Sequence, residues 1–416
     1  GPGARVRGVR PAARRRILYA ALCLAFVGPP AAFSAESRFP HPEFTTGYKA
    51  PVSQHPAPRS PLMEWFDVAV LAGVLALSAW LALKRRSRFG LYATLLFSLL
   101  YFGFYRKGCI CPVGSIQNVA AALFDTGYAI PASVIFLFAL PLGFALFYGR
   151  VFCASVCPLG AMQDVVILKP VRLPRWLSGA LGFLPFVYLA LAVLLTATGT
   201  SWLICRLDPF GSFFRLSGEP LRIGLGAAFL GVGLFVARPY CRFLCPYGAL
   251  LGLFSRLSLR HLTITPAECT RCRRCETSCP FDVIERPDLP PKEGAPVPKP
   301  LPRWLLPALL PLFVALGAVS FWSMAPLFSS RNTAVALSVQ VALEDADPAL
   351  PKSADATYWR SLGKPVEDLH AAAAQVRSRM KAGAPWAGAF VGLAFGLTLL
   401  GLSRGRHHHD WEPTRA

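Results

Sequence analysis

Seven runs of apolar residues, at 66–83, 89–105, 130–148, 180–200, 222–237, 304–325 and 386–403, dominate the chain. A membrane's hydrocarbon core is ~30 Å thick and takes ~20 helical residues to cross, so runs of this length sit at or near a span, the shorter ones completed by flanking side chains that snorkel. Where no water reaches the backbone, each amide must be satisfied within its own segment, which selects the helix. The expected fold class is an all-α membrane protein with about seven transmembrane helices. Apolar residues are 54% of the 416, and they are blocked together rather than spread at amphipathic spacing. The formal net charge of +21 would suggest nucleic acid in a soluble protein. Here Lys and Arg gather at the ends of the apolar runs, where they set orientation, so no nucleic-acid partner is expected.

The runs also order the domains. Residues 1–35 carry a basic stretch from Arg5 to Arg16, an apolar stretch from Ile17 to Val27 and small residues around Ala32 to Ala35, which reads as a signal peptide or an N-terminal anchor. Residues 36–64, Pro-rich and carrying His41 and His55, read as an extracytoplasmic loop. The first run then ends inside, at the KRRSR of Lys84 to Arg88, as positive-inside orientation requires. Counting onward, 84–88, 149–179 and 238–303 lie inside, and 106–129, 201–221 and 326–385 outside. The membrane core is 66–260 and a ferredoxin-like segment is 261–300. Residues 304–403 hold the last two spans around the extracytoplasmic loop 326–385, whose stretch 366–381 reads as an amphipathic lid or docking surface. A cytoplasmic tail, 404–416, includes His407, His408 and His409, read as a polar tail rather than a metal site. The missing initiator Met and the stop at Ala416 suggest a piece of a longer protein. The expected location is the inner membrane, multi-pass, with the ferredoxin-like segment in the cytoplasm.

Twelve cysteines are too few for a secreted disulfide scaffold of this length, and their clustering reads as ligation. Four loops share one pattern: Cys, a short spacer, Cys or Asp, Pro, any residue, Gly, a small residue. They are Cys109-Ile-Cys111-Pro112-Val-Gly114, Cys153-Ala-Ser-Val-Cys157-Pro158-Leu-Gly160, Cys205-Arg-Leu-Asp208-Pro209-Phe-Gly211 and Cys241-Arg-Phe-Leu-Cys245-Pro246-Tyr-Gly248. Proline is favoured at the first position of a helix, so each residue before it is expected at a helix N-terminus. Free amides and the helix dipole there favour a thiolate and an anionic cluster, and the Gly permits close approach. One such loop would be ordinary punctuation between spans; four in alternation point to a repeat.

Topology pairs the loops, one and three outside, two and four inside, as in two halves related by inverted symmetry. The inner pair offers Cys153, Cys157, Cys241 and Cys245, which suit a [4Fe–4S] cluster or a structural zinc. The outer pair offers Cys109, Cys111 and Cys205, with Asp208 where a fourth Cys would stand. That set permits either a third iron–sulfur cluster or a disulfide through Cys205 with one thiol left over.

Residues 269–280 read Cys269-Thr-Arg-Cys272-Arg-Arg-Cys275-Glu-Thr-Ser-Cys279-Pro280, the bacterial ferredoxin run, in which the fourth Cys serves either its own or a neighbouring cluster. With the inner loops this makes eight inside cysteines, suited to two [4Fe–4S] clusters on the cytoplasmic side.

On these motifs the chain resembles the NosR/NapH group of membrane iron–sulfur proteins, and most closely the NosR-like membrane region. The resemblance covers about 84–285, through GCICPVGSIQN, GRVFCASVCPLGAMQD, CRLDPF and RPYCRFLCPYGALL. It implies electron transfer between a quinol or cytoplasmic donor and an extracytoplasmic redox partner. NosR-like proteins usually carry an external flavin domain before the first span, for which 36–64 is too short, so a flavin would come from a partner; they also commonly continue into a further cysteine-rich segment. With no triad, phosphate loop or paired carboxylates in view, the chemistry belongs to clusters and partners, quinone among them. The alternatives are an iron–sulfur redox sensor or an assembly factor for a partner metalloenzyme. A transporter ranks last, because the runs carry almost no charge.

Overall fold

The computed structural model describes residues 60–108, 112–168, 170–171, 173–259, 305–347 and 351–404. The leader 1–35, most of the loop 36–64, Cys109 and Cys111, the segment 261–300 with its four cysteines, and nearly all of the tail lie outside the described residues. Those described are helical, with no strand among them.

Helix α1 (Pro61–Trp80) starts on a Pro at its first position and runs into a π-helical turn that ends at Arg85. Ser87 then caps α2 (Arg88–Ser98) by accepting from the Gly90 amide at 3.1 Å, and α2 ends in a second π-helical turn, Leu99–Tyr105. Helices α3 (Pro112–Phe124) and α4 (Ala132–Tyr148) follow, then α5 (Val151–Ser155) and α6 (Pro158–Val166). After α7 (Arg175–Leu181) and α8 (Leu184–Ala197) come α9 (Leu203–Leu207), α10 (Gly211–Arg215), α11 (Pro220–Gly233), α12 (Pro239–Phe243) and α13 (Pro246–Arg256). The last group is α14 (Leu305–Ser329), α15 (Thr333–Ala346), α16 (Ala354–Ser361) and α17 (Val366–Arg404).

Every apolar run carries a helix. Four stretches are long and apolar enough to cross a membrane, Pro61–Arg85, Trp176–Ala197, Ala308–Ser329 and Val366–Leu399, and Ala132–Tyr148 and Pro220–Gly233 are shorter apolar helices. Large apolar side chains stand outward on these elements, Phe66, Leu77, Trp80, Val319, Trp322 and Trp386 among them. In water such a surface would aggregate; against lipid it is the ordinary solvent-facing side.

The centre of the molecule is a four-helix arrangement in which α4 and α8 each pack against both α3 and α13. The latter two each begin at the Pro of a cysteine loop, so the fold places loop-derived helices in the core. Leu71, Leu75, Phe102, Ala192, Phe210, Tyr247 and Leu251 fill it. A second layer is the pair α14 and α17, which meets α8. Their seam is a glycine ladder: a Cβ at Gly388 would collide with the Gly317 carbonyl, and one at Gly392 with the Phe313 carbonyl. Without a hydrophobic drive inside lipid, such close backbone approach is a main source of helix pairing.

Two findings differ from the sequence reading. The amphipathic stretch 366–381 is no separate lid; it continues without a break into the last apolar run as α17. Pro385 lies within that helix, where packing against α14 holds the chain helical across a residue that would stop an isolated one. In addition, Asp67 is fully buried in α1, where its carboxylate accepts from Tyr101 at 2.8 Å and pairs with Arg106 at 2.8 Å. An apolar run can hide a charge when its counter-ion arrives from the next segment.

Candidate metal centre

Loops two, three and four are built alike. A five-residue helix (α5, α9 or α12) carries the first cysteine, and the second ligand candidate follows within a few residues. In loops two and four that second residue, Cys157 or Cys245, is the N-cap of the next helix with Pro at its first position. The Cys245 sulfur accepts from the Gly248 amide at 3.3 Å, so the thiol faces the positive end of α13. Asp208 departs from the expected helix-start position: its carboxylate accepts from the Phe210 amide at 3.0 Å, and α10 begins only at Gly211. A short acidic side chain satisfies the nearby amide itself and so delays the helix.

The glycine of each loop touches its donor set. A Cβ on Gly114 would come 3.7 Å from the Cys205 sulfur, on Gly211 3.1 Å from the Asp208 carboxylate, and on Gly248 3.7 Å from the Cys245 sulfur. On Gly160 it would lie 3.4 Å from the Cys153 carbonyl. The contact of Gly114 with Cys205 also brings the first loop against the third.

Two glutamines stitch the loops in pairs. Gln117, five residues after Pro112, accepts from the amides of Ile204 at 3.0 Å and Cys205 at 3.3 Å, and donates to Thr196 at 2.9 Å. Gln163, five residues after Pro158, accepts from the Tyr240 amide at 3.1 Å and donates to the Cys241 sulfur at 3.1 Å. Both side chains are 0% exposed. Each thus anchors the first turn of the partner loop's cysteine-bearing helix, satisfying amides that a five-residue helix leaves open. The equal offset of both residues from their loop's Pro is the sequence signal of this shared role.

Arg238 is the other residue missed. It lies in an Arg-rich stretch that positive-inside orientation alone would explain, yet it is buried, with its guanidinium forked onto Asp164, Nε donating at 2.6 Å. The same group donates to the carbonyls of Cys153 and Ala154. It therefore braces the second loop from the start of the fourth.

These contacts bring the second and fourth loops together, with Cys157 and Cys245 in the core and Cys153 and Cys241, partly buried, packed against it. Burial pushes the Cys157 thiol up to about 12, and the Cys153 charge adds to it. Cys241 and Cys245 are raised by burial and then by their neighbours' charge, while burial raises Cys153 against the opposing charges of Arg150 and Arg238. Four thiols this desolvated and mutually repelling ionise only around a compensating polycation, which is what the iron of a cluster supplies. Among the described residues no three His, Cys, Asp or Glu side chains converge closely enough for a single metal ion.

A titration follows. In iron-free protein, iodoacetamide should label exposed Cys205 readily near neutral pH, whereas labelling of Cys157 should be slow and rise about tenfold per pH unit, since only the thiolate reacts. Site-resolved mass spectrometry reads this directly. Equal rates at the two positions would show that Cys157 is neither buried nor raised.

Relatives agree with this chemistry. A 4Fe-4S binding domain family matches residues 130–183 and 220–265, which carry loops two and four, and a second 4Fe-4S binding domain family matches 262–285. An uncharacterized protein of Methanocaldococcus jannaschii, MJ0749, is 31% identical over 196 residues, 45% of this chain and 70% of its own length. The regulatory protein NosR of Pseudomonas aeruginosa is 29% identical over 224 residues, 49% of this chain and 30% of NosR. The ferredoxin-type protein NapH of Escherichia coli is 27% identical over 187 residues, 41% of this chain and 59% of NapH. The chain thus spans less than two thirds of NapH and under a third of NosR. No solved structure matches it. With buried cysteine loops on apolar helices and these relatives, the chain belongs to the membrane-associated 4Fe-4S electron-transport proteins of the NosR/NapH type.

Proposed function

We propose that this protein passes single electrons through iron–sulfur clusters between a quinol or cytoplasmic donor and an extracytoplasmic redox partner, which would be the source of any flavin in the system. The observation that carries the reading is that Cys153 and Cys157 of the second loop and Cys241 and Cys245 of the fourth, distant in sequence, border one apolar core, with Gln163 of the second loop donating to the Cys241 sulfur. In this reading those four hold one [4Fe–4S] cluster, and Cys269, Cys272, Cys275 and Cys279 hold a second, both on the cytoplasmic side. Cys109, Cys111, Cys205 and Asp208 hold a third on the outer side. Seven spans in an inverted arrangement would set the two faces, with loop-derived helices sunk into the core shortening the path across ~30 Å of hydrocarbon. The clusters supply the redox change; the chain supplies ligands at helix starts, amides and Arg238 that offset negative charge, and a dry surround.

The test is iron and acid-labile sulfide per chain, with EPR, on anaerobically purified protein. About twelve irons in the wild type, falling to about eight in Cys205→Ala, is the expected result for three four-iron clusters. About eight in both would remove the outer cluster. The relative named as a regulatory protein favours a second reading, a redox sensor. Reduction of a membrane-impermeant external acceptor by proteoliposomes charged internally with reductant separates them, since a sensor need not conduct.

A further inference from the structure

Gln117 and Gln163 hold the same place in the helices that follow loops one and two, five residues after the Pro, and both side chains are fully buried. Each uses its oxygen alike, to accept from backbone amides at the start of the partner loop's short helix. Their nitrogens differ. Gln117 Nε2 donates to the Thr196 hydroxyl at 2.9 Å, whereas Gln163 Nε2 donates to the Leu159 carbonyl at 2.9 Å and to the Cys241 sulfur at 3.1 Å. The orientation of the Gln163 amide is forced by its neighbours. The Tyr240 amide can only donate and the Leu159 carbonyl can only accept, so the oxygen faces the first and the nitrogen faces the second, with the sulfur beside it. Anchoring the short helix needs the oxygen alone; the donor on sulfur is additional to that task. A neutral thiol gains little from such a donor, while a thiolate gains about twice as much, as charge-assisted hydrogen bonds do.

On the iron–sulfur reading of these cysteines, we infer that Gln163 is a positioning residue for electron transfer, its amide reaching from the second loop to the Cys241 sulfur of the fourth and raising the reduction potential of the cluster those loops hold. Reduction adds one electron and no proton, and the added negative charge spreads onto the sulfurs. A donor fixed on one of them therefore binds the reduced form more tightly than the oxidised form. The matching nitrogen of Gln117 is turned to Thr196, so loops one and three receive no such contribution from this position. The same residue at the same offset thus makes the two loop pairs electrically unequal, biasing electrons towards loops two and four.

The experiment is EPR-monitored redox titration of the full-length protein in detergent, comparing wild type, Gln163→Met and Gln117→Met. Methionine keeps the length of the side chain and removes the amide. Gln163→Met should show a lowered midpoint potential for the cluster of loops two and four. Gln117→Met removes the same kind of helix anchor from the other loop pair and should leave that midpoint at its wild-type value. A second readout uses the wild type alone and decides the case if Gln163→Met does not hold iron. Protein grown with glutamine carrying 15N in its side-chain amide, then reduced, should show a weak 15N hyperfine coupling to the cluster. No glutamine lies in 261–303, so the ferredoxin-like segment does not supply that signal. The coupling should persist in Gln117→Met and vanish from an iron-replete Gln163→Met, which a purely structural role would not require. An unmoved midpoint in Gln163→Met, an equal shift in Gln117→Met, or no 15N coupling in the wild type would overturn the inference and leave the iron–sulfur reading intact. Wild-type protein lacking iron and labile sulfide would overturn both.

Discussion

Arg238→Leu should lose most of the iron held by the loop cysteines and unfold several degrees earlier than the wild type in detergent. The guanidinium meets a carboxylate and two main-chain carbonyls at once, a geometry its planar fork allows and a lysine ammonium does not. Removing it leaves Asp164 without its counter-ion, and breaking such a pair costs ~3–5 kcal/mol when fully buried. With the Asp164 side chain 20% exposed, about 3 kcal/mol is the fitting figure here. Arg238→Leu combined with Asp164→Leu removes the orphaned charge and should recover much of the stability. It should not recover the iron, because the Cys153 and Ala154 carbonyls still lack their donor and the second loop is unbraced. Differential scanning fluorimetry with iron analysis checks both parts. Wild-type iron content in Arg238→Leu would show that the brace is dispensable.

Gly388→Leu should have a comparable effect by another route. The α14–α17 seam is backbone against backbone, so a leucine side chain has no volume to enter and the helices must part. Overpacking that side chains can absorb costs ~1–3 kcal/mol, and here no side chain can give way, so at least ~3 kcal/mol is expected. The measurable result is a loss of the monodisperse detergent-solubilised species with a lowered unfolding midpoint. Gly231→Ala on α11 is the control: nothing lies within 4 Å of a Cβ there, and the protein should be unaffected or slightly stabilised. A Gly388→Leu protein that behaves like this control would mean that α14 and α17 do not pack at that ladder.

These two residues also show where reading the sequence reaches and where it stops. The apolar runs announce their helices because lipid leaves the backbone no alternative, and the cysteine spacing announces ligand chemistry because few other folds use it. Arg238 gave no such sign. It sits in a basic stretch that orientation alone explains, and only a left-handed backbone turn (φ 47°) just before Pro239 swings it inward. Gln117 and Gln163 look like ordinary helical polar residues until the partner loop is seen to end on them. The glycine ladder at 388, 392 and 396 was legible as a spacing, but what it would pack against was not. The change from the amphipathic stretch 366–381 to the apolar run 386–403 misled in the opposite sense, because a shift in composition divided what is one helix. Local rules of backbone geometry were readable; contacts between segments far apart in the chain were not.

The stitch from Gln163 to Cys241 joins residues 78 positions apart. Cys153 and Cys157 each precede their counterparts by 88 positions, so at ribosomal speeds of ~5–20 residues per second they wait roughly 4–18 seconds for them to be synthesised. During that wait two thiols sit in an unfinished hollow, able to catch stray oxidants or the wrong ion. If these cysteines share one cluster, its assembly has to follow synthesis of the second half, and the nascent first half has to stay reduced until then.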